Sequence, residues 1–457
     1  TNITNTKLLC CNNSSTTGST VSPGTITAHG DPTASTDSPF DDPAGFVFGD
    51  AEDQNVIKNG SMKLDSNGKT TVNLGFEPQW LMWKKTSGTG GWTIYDAMRG
   101  VITGSGDQFL NADSSNAEST TNNDVLIFTP TGFEVNLSFH SDSEWIFTAI
   151  RRSDGYVGKP PELGTDVFNV TAADTTLPAF NANFAVDLAI YKTKNQSADW
   201  YTTSRLTAHK NLKTNASDAE VDGGGTTWFA YNDGFSASDG FSSNRIGWLW
   251  KRHAGFDVVT YKGDDVAGRQ IRHNLSKVPE MIWVKCRSNT QNWDVYHKGL
   301  NGGTTPWNYV TQLNSTNANS ATDDWNDTAP TSTAFSVGTD GNVNESPFHY
   351  VAMLFASVDG ISKVGYYTGN NTTQTITTGF QPRFVIIKKA SNADNWLTFD
   401  TVRGWTSGAT DKELRLNASN AQADFQVGYP TSTGFYLDTD DGGINQNDEE
   451  YIYYAHA

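Results

Sequence analysis

The sequence predicts an all-β protein: four tandem β-sandwich domains preceded by an extended N-terminal arm. Three observations predict this fold class: an aromatic, turn-rich composition, no helical periodicity, and one unit that recurs four times. The 457 residues include 24 Phe, 16 Tyr, 14 Trp and 42 Gly, a mixture that suits short strands joined by turns. No apolar stripe at helical spacing extends beyond about two turns. Because a chain of this length exceeds what one hydrophobic core supports, several domains are expected.

The recurring unit has ordered landmarks. An apolar strand ends in Lys, and a Trp follows eight residues later; then come a Leu before a polar tract, a small residue before Phe, and a closing aromatic strand. The order of these landmarks predicts repeats at residues 51–154, 155–254 (the divergent copy), 255–358 and 359–457. The four Lys–Trp pairs are Lys84–Trp92, Lys192–Trp200, Lys285–Trp293 and Lys388–Trp396.

Residues 1–50 differ from the repeats in composition. A short apolar strand, Lys7 to Cys11, precedes a tract rich in Ser, Thr, Gly, Pro and Asp with almost no large apolar residue. Such a tract cannot build its own core, so it is predicted to be an extended arm or anchor. The joints between repeats are only a few residues long, which favours either a stiff rod or repeats packed side by side.

Charge and cysteine content exclude several classes of protein. The formal net charge is −18 and no run of basic residues exceeds two, which argues against nucleic-acid binding. The three cysteines, Cys10, Cys11 and Cys286, match neither a disulfide framework nor a zinc site and are interpreted as buried apolar residues. No cofactor is therefore predicted. No stretch approaches the ~18 apolar residues of a membrane span and no signal peptide is visible, so synthesis in the cytoplasm is expected.

The repeated tryptophans allow two interpretations. Each ring is either a core residue beneath the turn that follows the Lys strand, or a platform on which a sugar ring stacks. The constant eight-residue offset favours the core, because core packing constrains spacing more tightly than a binding surface does. Glycan stacking remains the alternative for Trp92, Trp200, Trp293 and Trp396.

Two further recurring features receive structural interpretations. The repeated Lys is interpreted as a solvated strand end. Asp96 and Arg99 recur as Asp400 and Arg403, and the other two repeats lack the pair, so it is interpreted as a local ion pair that braces a turn.

Candidate catalytic and metal-binding residues are few. Asp142 and Glu144 resemble the carboxylate pair of a glycosidase, but the equivalent loops of the other repeats are also polar turns, so a solvated loop is predicted. The segment from Asp438 to Asp441 resembles a calcium loop, yet Gly442 stands where an EF-hand needs Asp or Asn. Calcium in another geometry remains open there. No catalytic residues are predicted, and the protein is expected not to be an enzyme.

Several short segments of the fourth repeat resemble those of a known family. They are Thr378-Gly379-Phe380-Gln381-Pro382, the strand Phe384 to Lys389, Asp400-x-x-Arg403-Gly404 and Leu416-Asn417-Ala418-Ser419. Together they resemble a repeated β-domain of virion appendage proteins from marine, cyanophage-like bacteriophages, which are loosely described as tail fibres or lectin-like. The resemblance covers nearly the whole chain and is weakest in the second repeat.

This resemblance implies a virion surface structural protein, a fibre or a capsid decoration, made in the host cytoplasm and released by lysis. Residues 1–50 would bind other virion proteins, capsid or tail, in a homo-oligomer or multi-copy assembly. A carbohydrate-binding adhesin that recognises host surface glycans is the alternative, and it predicts an exposed aromatic cluster outside the shared core positions. A glycan depolymerase is a remote alternative, and it predicts a groove with paired carboxylates between repeats.

Overall fold

The structure, a computed structural model, describes residues 56–104, 106–152, 161–224, 228–236, 243–408, 410–438 and 441–457, with the backbone of two short strands near the N-terminus. Those strands, β1 (Leu9–Cys10) and β2 (Ser19–Val21), pair antiparallel in a small unit formed by residues 1–54 and 155–160. The rest of the predicted arm at residues 1–50 lies outside the described residues. A second compact unit, residues 55–154 and 161–457, contains repeats 3 and 4 and all but the first few residues of repeats 1 and 2.

The predicted all-β class is confirmed. Every strand pair is antiparallel, and no α-helix occurs in the described part of the chain. Its helical turns are of the 3₁₀ type, at Gly164–Asp166, Leu300–Gly303, Pro306–Asn308 and Thr401–Arg403.

Each repeat folds into a large sheet and a small sheet with one strand order. In the large sheet the first strand pairs with the last, the last pairs with the Lys strand, and the Lys strand forms a hairpin with the Trp strand. In repeat 1 the large sheet contains β3 (Ile57–Lys63), β5 (Pro78–Lys85), β6 (Trp92–Asp96), β7 (Gln108–Asn111), β8 (Ser119–Thr120) and β11 (Glu144–Arg151); the small sheet contains β4 (Lys69–Asn73), β9 (Leu126–Thr129) and β10 (Gly132–Asn136).

Repeat 2 is a reduced version of this arrangement. Its large sheet has four strands, β12 (Phe168–Ala172), β14 (Leu188–Thr193), β15 (Tyr201–Ser204) and β19 (Arg245–Trp250). The remaining strands form two pairs: β13 (Phe180–Asn181) with β18 (Gly234–Phe235), and β16 (Lys210–Asn211) with β17 (Val221–Asp222).

Repeats 3 and 4 restore the six-stranded large sheet. Repeat 3 contains β20 (Phe256–Lys262), β22 (Met281–Cys286), β23 (Trp293–His297), β24 (Tyr309–Gln312), β25 (Ser320–Ala321) and β27 (His349–Phe355), with β21 (Arg269–Arg272) and β26 (Ala334–Val337) as the small sheet. Repeat 4 contains β28 (Ser362–Thr368), β30 (Phe384–Lys389), β31 (Trp396–Asp400), β32 (Asp411–Arg415), β33 (Ala423–Phe425) and β36 (Glu450–His456), with β29 (Gln374–Thr377), β34 (Gly428–Thr431) and β35 (Gly434–Leu437).

The two sheets of a repeat share one hydrophobic cluster. In repeat 1, Leu81 and Trp83 of β5 lie in the same cluster as Phe133 and Val135 of β10. Alternate residues of each strand point into this cluster, because side chains in a strand project to opposite faces in turn. Cys286 is buried in the corresponding cluster of repeat 3, as the sequence predicts.

A second, shared cluster joins repeats 2, 3 and 4. On β22, Ile282 and Val284 point into the core of their own repeat, whereas Met281 and Trp283 point into the shared cluster with side chains of repeats 2 and 4. The large sheets of these three repeats are therefore covered on both faces. Of the two arrangements that the short joints favour, repeats 2 to 4 adopt side-by-side packing.

Candidate functional site

Three of the repeated tryptophans build the contacts between repeats. Their indole nitrogens donate to backbone carbonyls of the neighbouring repeat in a closed cycle: repeat 2 to repeat 4, repeat 4 to repeat 3, and repeat 3 to repeat 2. The Nε1–O distances are 2.7 Å for Trp200 to Arg415, 2.9 Å for Trp396 to Gln312 and 2.8 Å for Trp293 to Lys213. Repeats 2 to 4 therefore form a ring with pseudo-threefold symmetry, hereafter the ring.

Backbone hydrogen bonds repeat the same cycle. The residue six positions after the repeated Lys donates its N–H to a Ser or Thr carbonyl of the next repeat: Ala198 to Ser419 (2.8 Å), Gln291 to Ser217 (3.0 Å) and Asp394 to Thr316 (2.8 Å). A second set of backbone hydrogen bonds crosses each junction in the opposite direction, and its acceptor is the carbonyl of the residue two positions after the repeated Lys. The N–H donors and their acceptors are Glu220 to Arg287 (2.7 Å), Asn319 to Ala390 (2.8 Å) and Gln422 to Lys194 (2.7 Å). Each junction of the ring thus has the same three hydrogen bonds.

The repeated Lys is not a solvated strand end in the ring, so that interpretation is wrong for three copies. Lys192, Lys285 and Lys388 are buried, and burial lowers the pKa of each to about 8. Backbone carbonyls compensate for the lost hydration: Lys192 Nζ donates to Ser419 O at 2.8 Å and Lys388 Nζ to Thr316 O at 3.3 Å, both across a junction of the ring.

The same burial decides between the two interpretations of the tryptophans in the ring. Trp200 and Trp293 are 0% exposed and Trp396 is 1% exposed, so none offers a face to a sugar, and the stacking interpretation fails for these three. The physical reason is that the neighbouring repeat covers each indole. Trp92 of repeat 1, which lies outside the ring, is partly exposed.

The turn-bracing ion pair forms as the sequence predicts, but it is more buried than expected in repeat 4. Arg99 Nε lies 2.6 Å from Asp96 Oδ2, and Arg403 Nε lies 2.5 Å from Asp400 Oδ2. In repeat 4 both side chains are almost fully buried, and Trp248 Nε1 of repeat 2 also donates to Asp400 Oδ2, at 3.4 Å.

A buried ionic cluster attaches repeat 1 to the ring. Both guanidinium ends of Arg252 donate to the Glu77 carboxylate at 2.8 Å, and Arg252 Nε donates to Asp257 at 2.6 Å. Asn274 Nδ2 donates to Glu77 Oε2 at 3.1 Å, and Arg152 Nε lies 3.2 Å from the same oxygen. Glu77 belongs to repeat 1 and Asp257 to repeat 3, so this cluster, hereafter the Glu77 cluster, joins the two.

A groove of about 570 Å³ lies where the small sheet of repeat 1 meets repeat 3. Outward-facing residues of β4 and β10 form one wall, and the ends of β20 and β27 contribute Lys262 and His349 to the other. The contact beside it includes a 2.8 Å hydrogen bond between the Thr103 and Thr260 hydroxyls, and Arg287 Nη1 donates to Thr103 O at 2.6 Å. The groove is therefore a crevice between two repeats, lined by both.

The groove is polar and carries both signs of charge. Lys69, Lys262, Asp124 and Glu134 all line it. Burial raises the pKa of Asp124 to about 6, opposed by the Gly104 N–H that donates to its Oδ2 at 2.6 Å. Among the described residues, Oδ1 of Asp124 has no hydrogen-bond partner. A polar ligand with hydroxyl donors would satisfy that oxygen.

A carboxylate cluster occurs in repeat 3, away from the predicted calcium segment. Oxygens of Asp294, Asp324 and Asp340 lie within 4.8 Å of one another. Burial raises the pKa of Asp294 and of Asp324, and the neighbouring Asp324 carboxylate raises that of Asp294 further. Both effects favour the protonated form of these carboxyl groups.

Of the other sequence candidates, Asp142 lies exposed in the turn before β11 with a φ of 56°, and Glu144 is the exposed first residue of β11. The predicted calcium segment is only partly described, because Thr439 and Asp440 lie outside the described residues. No helix in the described part of the chain is long and apolar enough to cross a membrane.

A family profile matches most of the chain. The sequence profile of a domain of unknown function, DUF7483, matches residues 3–151 and 165–457. The chain belongs to the DUF7483 family. No curated protein matches the sequence.

In this DUF7483 chain, sequence reasoning found the Lys and Trp of the ring but missed the Glu77 cluster and the groove. The sequence does carry one signal for Glu77. Repeats 1 and 4 share the motif Gly-Phe-x-Pro, and the variable position is the charged Glu77 in repeat 1 but the neutral Gln381 in repeat 4. Asp124 carries no comparable signal, because it lies in a polar turn with many similar neighbours.

Proposed function

We propose that this protein is a non-enzymatic structural protein of a virion surface, a fibre or a capsid decoration, anchored through residues 1–50. The observation that carries the proposal is the ring. Its indoles, lysines and repeated backbone hydrogen bonds serve to hold repeats together, and three large sheets are buried on both faces. Such a construction suits a rigid displayed body.

The composition supports the same proposal. A net charge of −18 keeps a protein soluble when many copies are displayed side by side. The resemblance of the fourth repeat to appendage domains of marine phages supports a location on the virion surface, with residues 1–50 in contact with capsid or tail proteins.

Immunogold labelling of intact particles from the source tests this proposal. Gold on the capsid would support a decoration or head fibre, and gold on the tail would support a tail fibre. Particles that carry no label, while the protein is detected in the lysate, would overturn the proposal.

Carbohydrate binding is a second candidate function, and the groove between repeats 1 and 3 favours it. The groove has paired donors and acceptors, Lys262 and Glu134 among them, and the buried Asp124 oxygen is available to a sugar hydroxyl. Multivalent display would raise a weak single-site affinity by about 10²–10⁴.

Glycan-array binding of the purified chain tests this second function. Wild-type protein should bind a host surface glycan, and Glu134→Ala should reduce the signal at least tenfold, because a charge-assisted hydrogen bond is worth about 1.5–3 kcal/mol. Phe139→Ser, at a residue that is 89% exposed and outside the groove, is the matched control. Binding that Glu134→Ala leaves unchanged would exclude the groove.

A further inference from the structure

The outer face of the large sheet of repeat 1 is apolar and uncovered by the other repeats. On β5 and β6, Trp80, Met82 and Ile94 point away from the core of repeat 1 and are all partly exposed. Ile146 of β11 is 39% exposed and Ile57 of β3 is 56% exposed on the same face. We call these residues, with Trp92, Leu110 and Ile150, the outer face of repeat 1.

Each position of this face has an equivalent inside the ring. The strand registers place Met82 opposite Ile94 in repeat 1, Ile190 opposite Thr202 in repeat 2, Trp283 opposite Val295 in repeat 3, and Ile386 opposite Thr398 in repeat 4. Ile190, Trp283 and Ile386 are all members of the shared cluster. The outer face of repeat 1 is thus the same surface that repeats 2 to 4 bury against one another.

Repeat 1 also retains the polar groups of a ring junction. In the ring the indole of Trp200, Trp293 or Trp396 donates across the junction, and the equivalent donor in repeat 1 is Trp92. A second common feature fixes the register: an Asn or Asp accepts the backbone N–H of the repeated Trp, at 3.2 Å for Asp113, 2.9 Å for Asn215, 3.0 Å for Asn314 and 2.9 Å for Asn417.

This alignment of the repeats identifies, in repeat 1, the residues equivalent to both sides of a junction. The donors are Trp92 Nε1, Gly90 N and Glu118 N, and the corresponding acceptors are Asn111 O, Ser115 O and Thr86 O. Gly90, Ser115, Glu118 and Thr86 all lie in exposed loops. Every group that forms a junction in the ring therefore has a counterpart on repeat 1, in a residue that is exposed or, for Trp92 and Asn111, partly exposed.

We propose that the chain forms a homotrimer through the outer face of repeat 1. Three copies of repeat 1 meet about a threefold axis in the arrangement that repeats 2, 3 and 4 adopt within one chain. The occupant is a second copy of this chain because the junction is heterologous: residues 86–92 of one copy would contact residues 111–118 of the next, and within the ring the equivalent contact closes at three members.

Molecular mass in solution tests the proposal on the full chain. Light scattering after gel filtration at micromolar concentration should give three times the 49.8 kDa of one chain. Met82→Lys places a charge at the centre of the face and should lower the mass threefold, with an unchanged circular dichroism spectrum. Phe139→Lys, which adds the same charge at an exposed residue of repeat 1 outside the face, should remain a trimer.

A cysteine pair tests the geometry. In the ring the residues equivalent to Gly90 and Ser115 are joined by a backbone N–H···O hydrogen bond of 2.8–3.0 Å, so the two backbones lie side by side, as a disulfide between them requires. Oxidation of the Gly90→Cys/Ser115→Cys double variant should give covalent trimers on a non-reducing gel. Each single variant is the control and should give none.

Other results would overturn the proposal. A dimeric mass would indicate a twofold contact. A monomeric wild-type chain would indicate that the face is solvent-exposed or is covered by residues 1–54 of the same chain; solvent labelling of Trp92 distinguishes these two cases.

Discussion

At the scale of single residues, buried polar groups explain the constant landmarks of the sequence. A buried indole N–H needs an acceptor, and the eight-residue offset from Lys to Trp places each indole against the same carbonyl of the next repeat. The lysines meet the same requirement with backbone carbonyls. These residues recur because the junction recurs.

Glu77 gives the first prediction. Glu77→Gln leaves Arg252 buried beside a neutral amide, so the free energy of unfolding should fall by about 3–5 kcal/mol. Chemical denaturation measures this loss. The reverse exchange at the equivalent exposed residue, Gln381→Glu, should change stability by less than about 0.5 kcal/mol. Equal effects of the two exchanges would contradict the structural role of the Glu77 cluster.

His297 gives a prediction on pH. Its Nδ1 accepts from Gly299 N at 2.9 Å, which needs the neutral imidazole, and its Nε2 lies 3.3 Å from Tyr453 O of repeat 4. Burial lowers its pKa to about 3. Because the unfolded chain takes up this proton near pH 6.5 and the folded chain does not, stability should fall by about 1.4 kcal/mol per pH unit between pH 6.5 and 3.

Comparison of wild type with His297→Asn isolates this contribution. Asn keeps an acceptor for Gly299 N but does not titrate, so its unfolding free energy should fall less steeply with acid than that of the wild type. Parallel pH profiles for the two proteins would contradict the assignment.

At the scale of elements, large and small residues complement each other between the first and last strands of a repeat. Gly60 lies opposite Phe147 in repeat 1 and Gly365 opposite Tyr453 in repeat 4, and a Cβ on either glycine would lie 2.4–2.6 Å from the aromatic ring. In repeat 3 the same register position pairs Val259 with Ala352. The space above the glycine of one strand thus accommodates the aromatic side chain of the other.

The element-scale prediction concerns Gly365. Gly365→Ala forces the Tyr453 ring out of its site, so stability should fall by about 1–3 kcal/mol. Thermal unfolding measures the change. Gly442→Ala is the control in the same repeat, because its Cβ would have no neighbour nearer than 3.5 Å. A stabilised Gly365→Ala variant would show that the Tyr453 side chain has room to move.

At the scale of the whole molecule, repeats 2 to 4 depend on one another and repeat 1 does not depend on them in the same way. Repeat 1 keeps its own cluster between its two sheets, whereas the shared cluster draws side chains from all three repeats of the ring. The ring is therefore expected to unfold as one cooperative unit.

Truncation tests this expectation. A chain that lacks residues 1–160 keeps the ring and should still unfold in one cooperative transition. A chain that lacks residues 359–457 exposes Trp248 and Trp283, among other members of the shared cluster; each such side chain is worth about 1.5–3 kcal/mol, against a typical total of 5–15 kcal/mol. It should lose its near-ultraviolet circular dichroism and bind a hydrophobic dye. Equal behaviour of the two truncated chains would contradict a shared core.

The sequence by itself determined the β class, the repeat and the landmark Lys and Trp residues, because strand propensity and spacing along the chain are local properties. It did not distinguish Trp92 from Trp293, because both follow an apolar strand that ends in Lys at the same eight-residue offset. Only the tertiary structure decided that Trp293 is buried at a junction while Trp92 is partly exposed, because burial of a sheet's outer face depends on which distant repeat packs against it. The Glu77 cluster and the groove depend on tertiary contacts for the same reason: their partners lie more than a hundred residues apart in the chain.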